Sequence, residues 1–242
     1  MSSKSPRAAA EAHSRKEKAV KVFVVAMECE AAAVSRNFAE VREETCFGRK
    51  VVRGTIGGEE TAMVVAGVGK ANAASAVQLA VGTLGADTIL NAGVAGGLDP
   101  SMHAGELYQV SKAVEYDFDL SKVNNTSIGV PDERETPFFE IAPAGFWPSA
   151  IVATGDRFTD DENDFAFLRN EFGATVRDME LGAIAHAAFR AGVPVHSLKA
   201  ITNVAGNGLM TSQYAENLPM CLEKLSKAIV EFFSARLPSA CI

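Results

Sequence analysis

The chain has 242 residues, 48% of them apolar or aromatic and 22% charged, the composition of a globular domain and not of a disordered or fibrous segment. Its 30 Asp and Glu outweigh 23 Lys and Arg, and a net charge of −7 without a basic cluster disfavours nucleic acid or an anionic membrane as partner. The longest apolar runs, Val22 to Met27 and Ala183 to Phe189, fall well short of the roughly 18 residues of a spanning helix. Cys29, Cys46, Cys221 and Cys241 are scattered without a C-x-x-C pair, which fits a reducing, cytoplasmic setting.

Residues 1–18 carry five basic and two acidic side chains among Ser and Ala, with no apolar stretch of the secretory kind, and are expected to form a disordered tail before a single domain over 19–242. Glu11 and Glu17 argue against a mitochondrial presequence. Val22 to Ala26 predicts a strand buried on both faces, and an acidic, Ala-rich helix follows at Glu28 to Phe38. Strands are expected at Lys50 to Gly54 and Ala62 to Ala66, and Ala73, Ala76, Val77, Ala80, Val81 and Leu84 mark one helix face. A strand at Asp87 to Asn91 runs into Gly93, Gly96 and Gly97, which taken alone suggest a tight turn with positive φ. Further strands are expected at Leu107 to Val114, Ile151 to Thr154, Thr175 to Met179 and Pro194 to Thr202, with a helix at Glu180 to Arg190. Ser121 to Pro148, rich in Asn, Pro, Gly and charge, reads as a long irregular insertion, and a closing helix carries Pro219 near its first turn. Strands alternating with helices predict an α/β fold around a largely parallel or mixed sheet.

Several familiar motifs fail on spacing. Gly67-Val68-Gly69-Lys70 has Val64 where a phosphate loop needs its first glycine and Ala71 where it needs Ser or Thr. Gly93-Val94-Ala95-Gly96-Gly97 does not match G-x-G-x-x-G. His13, His103, His186 and His196 form no metal-binding pair, and His186 is expected as a hydrogen-bonded helix residue near the core. No G-x-S-x-G elbow is present. What remains is a set of acids and small residues at strand ends, where open α/β sheets place ligands.

That set is Ala26-Met27-Glu28-Cys29-Glu30, Ala66 to Lys70, Asn91 to Leu98, Thr154-Gly155-Asp156, Asp178-Met179-Glu180 and Lys199 to Asn203. In this order it resembles the methylthioadenosine/adenosylhomocysteine nucleosidases of the purine nucleoside phosphorylase superfamily, over roughly Lys21 to Phe233. The resemblance implies a three-layer α/β/α fold with a central mixed sheet, a homodimer, no metal or organic cofactor, and a small purine nucleoside as ligand. It implies that Glu30 activates the attacking water. It likewise implies that Met179 packs under the ribose, that Glu180 binds its hydroxyls, and that Phe158 with Val176 to Asp178 forms the wall and edge of the base pocket. Met27, Val94, Gly96 and Thr202 are carried over as further substrate-binding positions. Each acid also has a plainer explanation, since Glu30 and Glu180 at helix starts are favoured by the helix dipole alone.

Three departures bear on chemistry. Asn203 stands where these nucleosidases carry the aspartate that protonates N7 of adenine, and an amide can donate a hydrogen bond but not a proton. Three readings stay open: a 6-oxopurine base, an engineered variant that traps substrate, or a nucleoside-binding protein with weakened catalysis. Asn91-Ala92 occupies the place where phosphorolytic relatives present an arginine, which favours water as nucleophile; Arg49 and Arg53 keep phosphorolysis as the runner-up. Val94 replaces a hydroxyl residue common at that site.

Overall fold

The computed structural model describes residues 20–235; the expected tail at 1–18 lies outside them. Strand β1 (Lys21–Val25) sends Val22 and Val24 into one apolar cluster and Phe23 and Val25 into another on the opposite face, the period-2 pattern of a strand covered on both sides. Helix α1 (Glu28–Ser35) follows directly. The chain then forms the antiparallel ribbon β2 (Ala39–Cys46), β3 (Arg49–Ile56) and β4 (Glu59–Val65), with β4 returning parallel to β1. Almost every residue of β2 is exposed, so no hydrophobic alternation announces it in the sequence.

Helix α2 (Lys70–Gly82) leads into β5 (Thr88–Gly97), which continues through the glycine group as an extended strand. The turn suggested for Gly93, Gly96 and Gly97 is therefore incorrect: none of them is among the residues with positive φ. They are glycines because other groups approach the strand closely at those places.

Next come β6 (Leu107–Glu115), a four-residue α3 (Ser121–Asn124), β7 (Phe139–Glu140), β8 (Ser149–Thr154), α4 (Glu162–Phe172), β9 (Val176–Asp178), α5 (Leu181–Ala191), β10 (Val195–Val204) and α6 (Met210–Ser234). All ten strands join one mixed sheet, ordered β10-β6-β8-β9-β5-β1-β4-β3-β2 with β7 beside β6. Because β10 also pairs with β5, strands β5, β10, β6, β8 and β9 close on themselves. Helices α2 and α5 pack on one face through small residues such as Ala76, Ala80 and Ala183, while α1 and α6 cover the other through Val34, Leu225 and Phe232. This is the expected α/β/α layering.

Pro219 is not in the first turn of α6. The helix starts at Met210 and carries the proline in its interior, which brings an extra stretch of helix over the strand ends. The insertion is irregular as expected, with its apolar side chains turned inward: Phe139, Ile141 and Ala144 are buried in the chain's own core, and Trp147 packs edge-on to Phe232.

Candidate active site

A cavity of ≈ 380 Å³ opens at the strand ends, within the range of ligand pockets. Met27 and Glu30 line it from the β1–α1 junction, and Val94 and Gly96 from β5. Phe158 follows β8, Asp178, Met179 and Glu180 close β9, and Thr202 and Asn203 come from β10. Val176 is the exception among the expected positions: its side chain is buried in the core cluster beneath the sheet, and its neighbour Arg177 takes the place on the cavity wall. Arg177 falls within the expected Val176 to Asp178 edge, whereas sequence reasoning missed Arg157, Met210, Thr211 and Tyr214 as lining residues. Placing the start of α6 near Pro219 hid the last three.

Glu30 is 3% exposed, which excludes the solvated first-turn acid. Its Oε2 accepts from the backbone N–H groups of Ala26 (3.1 Å) and Met27 (3.0 Å), and its Oε1 from that of Val94 (2.8 Å). The bond to Met27 satisfies the backbone N–H of the residue that caps α1. Gly93 allows this placement, because a Cβ there would stand 2.5 Å from Glu30 Oε1. Burial pushes the Glu30 carboxyl above its ordinary value, against the three N–H donors and Lys199, which favour the charged form. A carboxylate held in that balance is a stronger base than a free one.

Three acids surround one buried cation. Lys199 Nζ lies 2.8 Å from Asp178 Oδ2, with both side chains almost fully buried. Asp178 also accepts from Thr154 Oγ1 (2.5 Å) and from Leu181 N (3.0 Å) at the start of α5. Burial opposes the Lys199 charge, but Asp178, Glu180 and Glu30 together outweigh it and hold the ammonium above its usual range. Lys199 opens the Lys199 to Asn203 motif, and its charge between Leu198 and Ala200 in a buried strand is the sequence signal for its buried role. Lys199→Met should leave Asp178 buried without its partner and lower the unfolding free energy by about 3–5 kcal/mol. Urea unfolding would check this, and an unchanged midpoint would mean that the pair is not coupled.

Glu180 Oε1 accepts from Gly69 N at 2.9 Å, which ties the β4–α2 loop to the start of α5. Burial first, and then Asp178, push its carboxyl up to about 7. Between the ordinary value of 4.5 and about 7 the folded protein keeps a proton that the unfolded chain has released. Stability should therefore fall as pH rises through this window, by up to about 3 kcal/mol. Glu180→Gln should flatten the dependence; urea midpoints at several pH values across the window test this, and a slope unchanged in the variant would assign the proton elsewhere.

At the other end of the cavity, Asn203 Oδ1 accepts from Thr202 Oγ1 at 2.6 Å, while its Nδ2 meets the Met210 thioether at 3.3 Å. Arg177 donates to the backbone carbonyls of Arg157 and Thr159, and its guanidinium sits 5.4 Å from the centre of the Phe165 ring. Phe158 and Tyr214 face each other edge-on across the entrance.

The remaining candidates lie elsewhere. His186 bridges Glu115 (2.8 Å) and Glu133 (2.7 Å) as a hydrogen-bonded helix residue. Arg49 donates to Ala66 O, Asn72 and Ser75, and Arg53 pairs with Glu44, so both are engaged within the chain. Among the described residues no group of His, Cys, Asp and Glu could hold a metal ion, and no helix is long and apolar enough to cross a membrane.

A family model described as the phosphorylase superfamily matches residues 21–144 and 147–234. A 5′-methylthioadenosine/S-adenosylhomocysteine nucleosidase of Geobacillus kaustophilus is 30% identical over 210 residues, 80% of this chain and 89% of the relative. One from Anoxybacillus flavithermus is 28% identical over 197 residues, 76% and 85% of the two chains. An aspartate-to-asparagine mutant of the Helicobacter pylori nucleosidase, solved with 5′-methylthioadenosine in its active site, superposes with a TM-score of 0.82 at 21% identity, over 89% of this chain and 98% of that one.

Proposed function

Because the chain belongs to the 5′-methylthioadenosine/S-adenosylhomocysteine nucleosidase family of the phosphorylase superfamily, we propose that it hydrolyses the N-glycosidic bond of a purine (thio)nucleoside to free base and sugar. The observation that carries this reading is the pair of carboxylates on the wall of one cavity, Glu30 buried and Glu180 half-buried.

Breaking C1′–N9 builds positive charge on the sugar and sends the bonding pair to the departing purine. Water attacks C1′ and gives its proton to Glu30, whose backbone donors fix the carboxylate's direction. Glu180 accepts hydrogen bonds from the ribose hydroxyls, Met179 packs beneath the ring, and Phe158 stacks against the base. Asn203 donates to the base edge, stabilising negative charge there without supplying a proton. The protein acts as a homodimer: exposed Val68, Phe158 and Leu209 beside the cavity form an apolar rim that a second copy covers.

The test incubates the protein with methylthioadenosine, adenosylhomocysteine, adenosine, inosine and guanosine, each with and without phosphate, and follows released base and sugar. Free sugar at a rate independent of phosphate is expected. Sugar 1-phosphate, with turnover vanishing when phosphate is removed, would overturn hydrolysis. Sedimentation checks the assembly, and a fully active monomer at low concentration would contradict the dimer.

A further inference from the structure

We infer that His186 is a proton-operated latch: its doubly protonated ring clamps residues 131–137 of the insertion onto α5, and loss of one ring proton releases that stretch. The latch lies outside the cavity and holds whatever reaction the cavity performs. Both ring nitrogens meet carboxylates, Nδ1 at 2.8 Å from Glu115 Oε2 and Nε2 at 2.7 Å from Glu133 Oε1. A neutral imidazole carries one donor and one acceptor, so it serves only one of two ionised carboxylates and turns a lone pair on the other. Both contacts form together when the ring holds two protons. The hydrogen bonds to Glu115 and then Glu133 outweigh burial and hold the ring above its ordinary value of 6.5. The bond from His186 in turn holds the Glu133 carboxyl below the usual carboxylate range, so the shared proton sits on the ring.

The two acids differ in what they lose. Glu115 ends β6 and is 7% exposed, so it keeps whichever ring N–H remains. Glu133 lies on an exposed part of the insertion and finds water once the ring is neutral. Of residues 131–137 only Pro131 is buried. The stretch is held to α5 by Glu133, through His186 and, at 3.8 Å, Arg190, and by Arg134, which lies over the rings of Phe139 and Phe189. Phe139 also stacks on the His186 ring at 4.9 Å. From the start of α2, Lys70 lies 3.8 Å from Glu115 and 2.5 Å from Asp117. Glu115, Glu133 and Asp117 thus face Lys70 and Arg190, and the imidazolium supplies the positive charge that balances them. Glu140, the charged residue of β7, pairs instead with Lys112 at 3.5 Å. Because the folded value of the ring is raised, its contribution is present at pH 6.5, down to where Glu133 takes a proton, and is lost as pH rises through the folded value.

Two local measurements on the full chain, from about pH 6 to about pH 9, test the latch. The NMR titration of the His186 ring, its signal assigned with His186→Gln, should have a midpoint above 6.5, and Glu133→Gln should move it down. Hydrogen exchange of residues 131–137, corrected for the intrinsic pH dependence of exchange, should show protection falling about tenfold as the ring deprotonates. Exchange in β1 is the control, because Glu180 alters global stability and not this stretch alone. Glu133→Gln should remove the step, since an amide accepts from the protonated ring and donates to the neutral one. A ring that titrates at or below 6.5, or a stretch whose protection follows that of β1 throughout, overturns the latch. If the ring only packs against Phe139, His186→Gln lowers protection equally at every pH and Glu133→Gln keeps the parent's profile, which also overturns it. Should His186→Gln fail to fold, exchange in the parent and in Glu133→Gln decides.

Discussion

Glu30→Gln is expected to lower kcat by about 10²- to 10⁴-fold while leaving nucleoside affinity close to that of the parent. The amide has nearly the carboxylate's shape, so the cavity is kept, but it cannot take a proton from water. The geometry also limits how well the amide is accommodated. The glutamine oxygen can serve the Ala26 and Met27 N–H groups, which places the NH2 against the N–H of Val94 where Glu30 now accepts at 2.8 Å. One bond is lost, at a cost of about 1–3 kcal/mol. Relief of the charge burial that raises the Glu30 carboxyl offsets part of this. Single-turnover rates with a binding isotherm check the split between rate and affinity. Turnover at the parent rate would remove Glu30 from the role of base.

Asn203→Asp should move two substrates in opposite directions. With an adenine nucleoside the new carboxyl, almost fully enclosed, is held toward its protonated form and supplies the proton that the amide lacks. kcat should then rise by about 10²- to 10⁴-fold with little change in affinity. With a 6-oxopurine nucleoside the same change replaces a donor by a group whose oxygen faces the 6-oxo oxygen, and both affinity and rate should fall. The Thr202 hydroxyl, 2.6 Å from the present amide oxygen, can donate to either residue, so the substitution need not disturb the strand. Steady-state kinetics on the parent and the variant with both nucleosides read the outcome. Equal rates for the two proteins on every nucleoside would place Asn203 outside the reach of the base.

The order of short apolar runs and helical faces determined the α/β class and the central strands, because an element covered on both sides must be apolar throughout, as Val22 to Val25 is. Ten of the eleven expected site residues line one cavity for a related reason: acids and small residues that interrupt such runs at strand ends have few places to go in an α/β sheet. Tertiary structure decided the rest. Strand β2 is almost wholly exposed and forms by pairing with β3, a backbone interaction that leaves no pattern in its side chains. Gly93 and Gly96 are small because Glu30 and Asn203 press on β5 from distant parts of the chain, not because the backbone turns there. Arg177 instead of Val176 on the cavity wall is a matter of which way a three-residue strand faces, and its register against β5 and β8 sets that. Whether Glu30 is a solvated cap or a buried base could not be read from its position at a helix start. Enclosure decided it, through contacts from β5 and β10 that exist only once the sheet has closed.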